Sequence, residues 1–99
     1  MNELTIHIDQ IRKLCKFNKV KSLFAFGSIL SQDFKPESDI DLIVDIDAKD
    51  PLTYSDSYFN LKFQLELLFQ RKIDLLEQNT IKNPYLIKQI DETKVLIYG

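Results

Sequence analysis

The segment FGSILSQDFKPESDIDL, residues 26–42, decides how the chain is to be read. It starts at the end of one apolar run, VKSLFAF (residues 20–26), and finishes inside another, IDLIVDID (residues 40–47). Gly27-Ser28 stands at the first boundary and Asp39-Ile40-Asp41 at the second. Two readings are open: an ordinary strand, turn, strand passage with a solvated acidic edge, or a site that holds phosphate and metal. The chain has only two glycines, so one of them beside a serine at a strand end calls for a reason.

Working outward, residues 20–26 are rich in strand-forming and aromatic side chains and predict a buried strand. In the second run Ile40, Leu42, Val44 and Ile46 share one parity while Asp39, Asp41, Asp45 and Asp47 share the other, which gives a strand with one apolar and one acidic face. Between the two runs, Lys35-Pro36-Glu37-Ser38 signals a turn. Residues 72–77, KIDLLE, predict a short third strand with Asp74 on the parity opposite Ile73 and Leu75. VLIY (residues 95–98) closes the chain as a short extended segment.

Helices are expected between these strands. Leu4, Ile8, Ile11 and Cys15 recur at helical spacing, widened by Leu14, and predict one amphipathic helix over residues 3–17. A further helix is expected after a cap at Ser55 or Asp56. In residues 59–69, Phe59, Leu61, Phe63, Leu65 and Leu67 alternate strictly with polar residues, a strand period. The run lacks β-branched residues and its length suits a helix, so helix is the reading. Asn83-Pro84 opens a last helix with Leu86, Ile87 and Ile90 inward. Tyr54, Tyr58, Phe59, Phe63 and Phe69 exceed what one helix side needs, so part of that cluster is available to a partner while most serves the core.

Composition bounds the function. Ninety-nine residues, 44% hydrophobic and 28% charged, are expected to form a single domain, residues 1–99, with a packed core. A net charge of -2 disfavours direct nucleic-acid binding, which relies on basic stripes. No apolar run approaches the roughly 20 residues that span a bilayer, and the start lacks a signal-peptide pattern, so no membrane association and a cytoplasmic location are expected. Cys15 falls on an apolar helical stripe and reads as a buried structural thiol rather than a nucleophile. His7, the single histidine, reads as a surface or capping residue.

The Asp-x-Asp pair carries the sharper chemistry. Carboxylates at i and i+2 of a strand share a face with Cα atoms about 6.5–7 Å apart. They can grip divalent cations separated by roughly 3.5–4 Å. Hard oxygen donors select Mg²⁺ or Mn²⁺, and Asp74 is the available third carboxylate. A bare Gly27 lets phosphate approach the backbone, and Ser28 adds a hydroxyl and an N–H at the start of a helix. Such a cradle would hold a triphosphate while an acceptor hydroxyl attacks its α-phosphorus. Asp45 and Asp47 read as solvated or strand-end carboxylates and Lys35 as a surface lysine.

Gly27-Ser28, ten intervening residues, then Asp39-Ile40-Asp41 resembles the G-S-x(10)-D-x-D signature of the nucleotidyltransferases of the DNA polymerase β superfamily. The size and layout of the chain further resemble the minimal nucleotidyltransferase family, whose members are antitoxins paired with HEPN-type ribonuclease toxins. The resemblance implies an α+β fold, a small mixed sheet with helices packed mainly on one face. It implies nucleotide binding by Gly27 and Ser28, metal ligation and catalysis by Asp39, Asp41 and Asp74, and ATP as substrate. It also implies a HEPN-type toxin partner that is silenced by AMP transfer to a tyrosine, with Asp74 activating that hydroxyl. Many family members have a basic residue after the Gly-Ser pair, where this chain has Ile29-Leu30; those two are expected to pack the following turn onto the core. The departure keeps a second expectation open, a non-catalytic module that neutralises its partner by occlusion.

Overall fold

The two runs that flank the quoted segment become neighbouring strands. In the computed structural model, which describes residues 2–31, 35 and 37–99, β1 is Val20–Phe26 and β2 is Ile40–Ile46. Pro36 of the expected turn lies outside the described residues, whereas Ser38 N–H donates to the Lys35 carbonyl at 3.0 Å. β3 (Ile73–Glu77) pairs in parallel with β2, and β4 (Val95–Tyr98) pairs antiparallel with β1. Among the described residues the sheet order is β3-β2-β1-β4, a mixed sheet as expected.

Parallel neighbours cannot be joined by a tight turn, so β2 and β3 need a long crossover. Helix α3 (Pro51–Phe69) supplies it. Its cap is Asp50, whose carboxylate accepts the Thr53 N–H at 3.0 Å, and Pro51 takes the first helical position, where no N–H is required. The helix therefore begins before the expected cap at Ser55 or Asp56.

One face of the sheet is the core. Val20, Leu23, Ala25, Leu42, Val44, Ile73, Leu75 and Ile97 meet Ile11 and Cys15 of α2 (Ile8–Phe17) and Leu61, Leu65 and Phe69 of α3. Leu23, Ile40, Leu61, Leu65 and Ile73 are completely buried, each stabilising by about 1.5–3 kcal/mol. Burial pushes the Cys15 thiol up to about 12, which fits a structural role.

The expected helix over residues 3–17 is divided. α1 (Asn2–Ile6) ends before His7, whose backbone leaves the helical region at φ -104° and ψ 12°. The break sets the His7 ring edge-on to Phe69, with centroids 5.2 Å apart. It also leaves Ile6 exposed.

α4 (Pro84–Thr93) lies over the opposite face. Asn83 caps it by accepting from Tyr85 N–H at 2.9 Å, and the Lys94 ammonium stands 4.3 Å from the Phe24 ring centroid. Ile90 is buried, but Leu86 and Ile87 keep 37% and 38% exposure and flank cavities instead of entering the core. Helices thus cover mainly one face, and the second has a single narrow cover. Among the described residues no helix is long and apolar enough to cross a membrane.

Candidate active site

Strand register sets the site. Phe26, the last residue of β1, is the partner of Asp41 on β2, and Asp41 is the partner of Asp74 on β3. Adjacent strands are about 4.8 Å apart, so the end of β1 and two carboxylates form a row across three strands. Asp39 stands one residue ahead of β2, two positions from Asp41 and exposed. This face is the one opposite the core.

Gly27 follows β1 with φ +76°, a conformation that costs an L-residue about 1–2 kcal/mol. A Cβ at that position would lie 2.5 Å from Asp41 Oδ2 and 3.3 Å from its Cγ. Backbone conformation and close approach both demand glycine here. The next turn, Gly27–Leu30, is a short 3₁₀ helix in which Ile29 is buried, so the position after Gly-Ser serves packing, as expected.

Ser28 ties the two aspartates to this turn. Its hydroxyl donates to the Asp39 carbonyl at 3.3 Å, and its backbone N–H bonds the Asp41 carboxylate. Burial, followed by the charges of Asp74 and then Asp39, raises the Asp41 carboxyl above its ordinary value, while the Ser28 bond opposes the rise. Like charge is thus held together against its own repulsion. A bound cation would relieve it.

The donors are all carboxylate oxygens, the set that suits Mg²⁺ or Mn²⁺. Among the described residues no three acidic, histidine or cysteine side chains converge tightly enough to form a finished metal cage. Mg²⁺ does not need one, because it keeps several waters and takes one or two carboxylates together with substrate phosphates. The residues fit an ion shared with a nucleotide better than one the protein holds alone.

Other expected residues are distributed away from this row. Asp45 is half-buried opposite Ser22, beyond Ile43 along β2, and Asp47 is exposed. The Lys35 side chain is exposed, but its carbonyl is used: Arg71 donates to it at 3.1 Å and to the Ser38 carbonyl at 3.3 Å. The same guanidinium lies 3.6 Å from Glu3. Arg71 therefore clamps the residues that lead into Asp39, a positioning role that sequence reasoning missed. Its one signal was an arginine three residues before Asp74 at the mouth of β3.

Known proteins resemble this chain in sequence and in fold. The sequence family described as "Polymerase beta, Nucleotidyltransferase" matches residues 9–99. A Methanocaldococcus jannaschii protein named "Putative protein adenylyltransferase MJ1379" is 37% identical over 79 residues, which cover 80% of this chain and 78% of that protein. A solved structure described as a "putative minimal nucleotidyltransferase" superposes with a TM-score of 0.76 at 23% identity, over 93% of this chain and 90% of that one. A chain in the Shewanella oneidensis complex of a tri-AMPylated HEPN toxin with an MNT antitoxin superposes with a TM-score of 0.66 at 20% identity, over 96% and 71%. At those identities the two structures establish the fold.

Proposed function

This chain belongs to the polymerase β nucleotidyltransferase family, and we propose that it transfers AMP from ATP to a tyrosine of a HEPN-type toxin in the cytoplasm, acting as the antitoxin. The observation that carries the reading is the close approach of Gly27 to Asp41, where an added Cβ would lie 2.5 Å from Oδ2, because it puts the uncovered turn and the acidic row at one point. The name of the Methanocaldococcus jannaschii relative and the Shewanella oneidensis complex support a protein acceptor.

In this reading Gly27 and Ser28 receive the triphosphate, Gly27 by leaving the backbone uncovered and Ser28 by turning its hydroxyl and N–H from the Asp39 carbonyl and the Asp41 carboxylate to the phosphate. Asp39, Asp41 and Asp74 would hold Mg²⁺ or Mn²⁺, which supplies charge neutralisation at the phosphates when bound. Asp74 accepts the tyrosine hydroxyl proton. A bond then forms from that oxygen to the α-phosphorus, and the bond from the α-phosphorus to the bridging oxygen breaks, releasing pyrophosphate. Arg71 keeps the approach to Asp39 in register.

The test is incubation of the purified chain with ATP, Mg²⁺ and the toxin encoded beside it, read by mass spectrometry of the toxin. AMP on a tyrosine is expected, falling by about a thousandfold or more in an Asp39→Ala, Asp41→Ala variant. Occlusion without catalysis is the second reading, favoured by the burial of Ile29, which gives the position after Gly27-Ser28 to the core and leaves no cation there for a phosphate. Neutralisation that survives in the double variant, with no AMP attached by the native chain, would establish occlusion instead.

A further inference from the structure

Asp74 belongs to β3, which among the described residues pairs on one side only, with β2. Ile40 N–H donates to the Lys72 carbonyl at 3.2 Å, which fixes the sense of the ladder. Backbone groups alternate sides along a strand, so Lys72, Asp74 and Leu76 face β2 while Ile73 and Leu75 turn their N–H and C=O to the free edge. Left alone, such edge groups take water or another chain.

Two side chains of α3 occupy that edge. The Tyr58 hydroxyl donates to the Leu75 carbonyl at 2.5 Å, and the Glu66 carboxylate accepts the Ile73 N–H at 3.2 Å. They hold the residues directly after and directly before Asp74. Burial, then the charges of Glu77 and Asp74, raise the Tyr58 hydroxyl above its ordinary value, so it stays protonated and donates. The helix that delivers the chain to β3 thus also grips the strand on both sides of its carboxylate. That grip opposes a definite force, because Asp74 and Asp41 repel each other across the ladder and β3 has no outer strand to hold it in.

We propose that Tyr58 and Glu66 are positioning residues that keep the Asp74 carboxylate where it shares a divalent cation with Asp41. Neither touches the nucleotide or the reacting atoms; both act through the backbone that bears Asp74. This inference rests on the proposed metal role of Asp74 and adds to it the residues that set its reach.

Mn²⁺ affinity of the full chain with a non-hydrolysable ATP analogue, read from the electron paramagnetic resonance of free Mn²⁺, tests it. Tyr58→Phe and Glu66→Ala should each weaken Mn²⁺ by about tenfold, as loss of an outer support of a metal ligand does. Glu66→Gln keeps an acceptor oxygen and should stay within about twofold of native. In an Asp74→Asn background, itself weaker than either variant, Tyr58→Phe should change the affinity by no more than about twofold, because the two substitutions remove one effect. Tyr58 and Glu66 are only half-buried and each change is small, so binding can be read on folded protein. Native Mn²⁺ affinity in Tyr58→Phe and Glu66→Ala, with only the melting temperature lowered, would overturn the proposal, as would a tenfold loss that persists beside Asp74→Asn. Native affinity in Asp74→Asn alone, or no Mn²⁺ bound by the native chain, would instead overturn the metal reading beneath it.

Discussion

The two faces of one sheet differ more than the strands that build them. On the face under α2 and α3, Leu23, Ile40, Val44 and Ile73 are fully buried and apolar. On the other, Asp41 and Asp74 stand side by side and α4 covers only part of the surface. The first face gains stability by excluding water. The second keeps like charges together and an apolar cleft open, both of which cost stability unless a ligand arrives. Changes on one face should therefore act on folding, and changes on the other on chemistry.

The largest expected effect is on the core side. Leu65→Ala removes a completely buried side chain from α3 and should cost about 2–5 kcal/mol in denaturant unfolding, with AMP transfer per folded molecule within about twofold. A loss of activity without loss of stability would break the division between faces.

Gly27→Ala should do the reverse. The new Cβ meets the end of the Asp41 side chain, so the carboxylate is the group that moves. AMP transfer should fall by about a hundredfold, since misplacing a reacting group by an ångström costs that much. The stability cost should stay near about 1–2 kcal/mol, from the positive φ alone. Activity near native would remove Gly27 from the site.

Titration sharpens the same contrast. Asp41 has its carboxyl raised by burial, Asp74 and Asp39, so folding favours the protonated form. That contribution is complete below the ordinary carboxylate range, near about 4, and is lost as pH rises through the raised value. Asp41→Asn, which cannot ionise, should therefore melt above the native chain at neutral pH. The gap should close as the pH falls to about 4 or below, and Mg²⁺ should narrow it at neutral pH by stabilising the native carboxylates. A variant that melts lower at neutral pH would contradict this.

The smallest effect is expected on the outer side of α3. Phe59, Phe63 and Leu67 are 61%, 63% and 53% exposed, against the buried stripe of Leu61, Leu65 and Phe69. Phe63→Ser should change thermal stability by no more than about 0.5 kcal/mol. A larger loss would mean that this surface is packed in solution.

That same helix explains where sequence reading succeeds and where it stops. At about 100° per residue, positions two apart lie on nearly opposite sides of a helix. Two apolar stripes of period four, offset by two, therefore produce the strict alternation of residues 59–67. Residue type and length correctly outweighed the period. The alternation itself was the record of a second, uncovered apolar side.

The strands were the most legible feature, because β-branched and aromatic runs at residues 20–26 and the parity of residues 40–46 have few alternatives. Gly27, Ser28, Asp39, Asp41 and Asp74 were singled out from type and spacing; strand register sets Asp41 beside Asp74, and the turn after β1 brings Gly27 to Asp41 and Ser28 to the Asp39 carbonyl. The break at His7 was not legible, because the Phe69 ring that His7 meets is remote in sequence. Arg71 was missed for the same reason, since its partners are backbone carbonyls about 35 positions away. Leu86 and Ile87 carry the pattern of core residues, yet they border cavities, and periodicity cannot distinguish a packed wall from an open one.

The most direct measurement is a crystal structure with Mn²⁺ and a non-hydrolysable ATP analogue, read in the anomalous scattering of manganese. Metal peaks bridging Asp39, Asp41 and Asp74, with the phosphates against Gly27 and Ser28, are the expected result. Nucleotide bound elsewhere, or no manganese between those carboxylates, would contradict the assignment of the acidic face to nucleotidyl transfer.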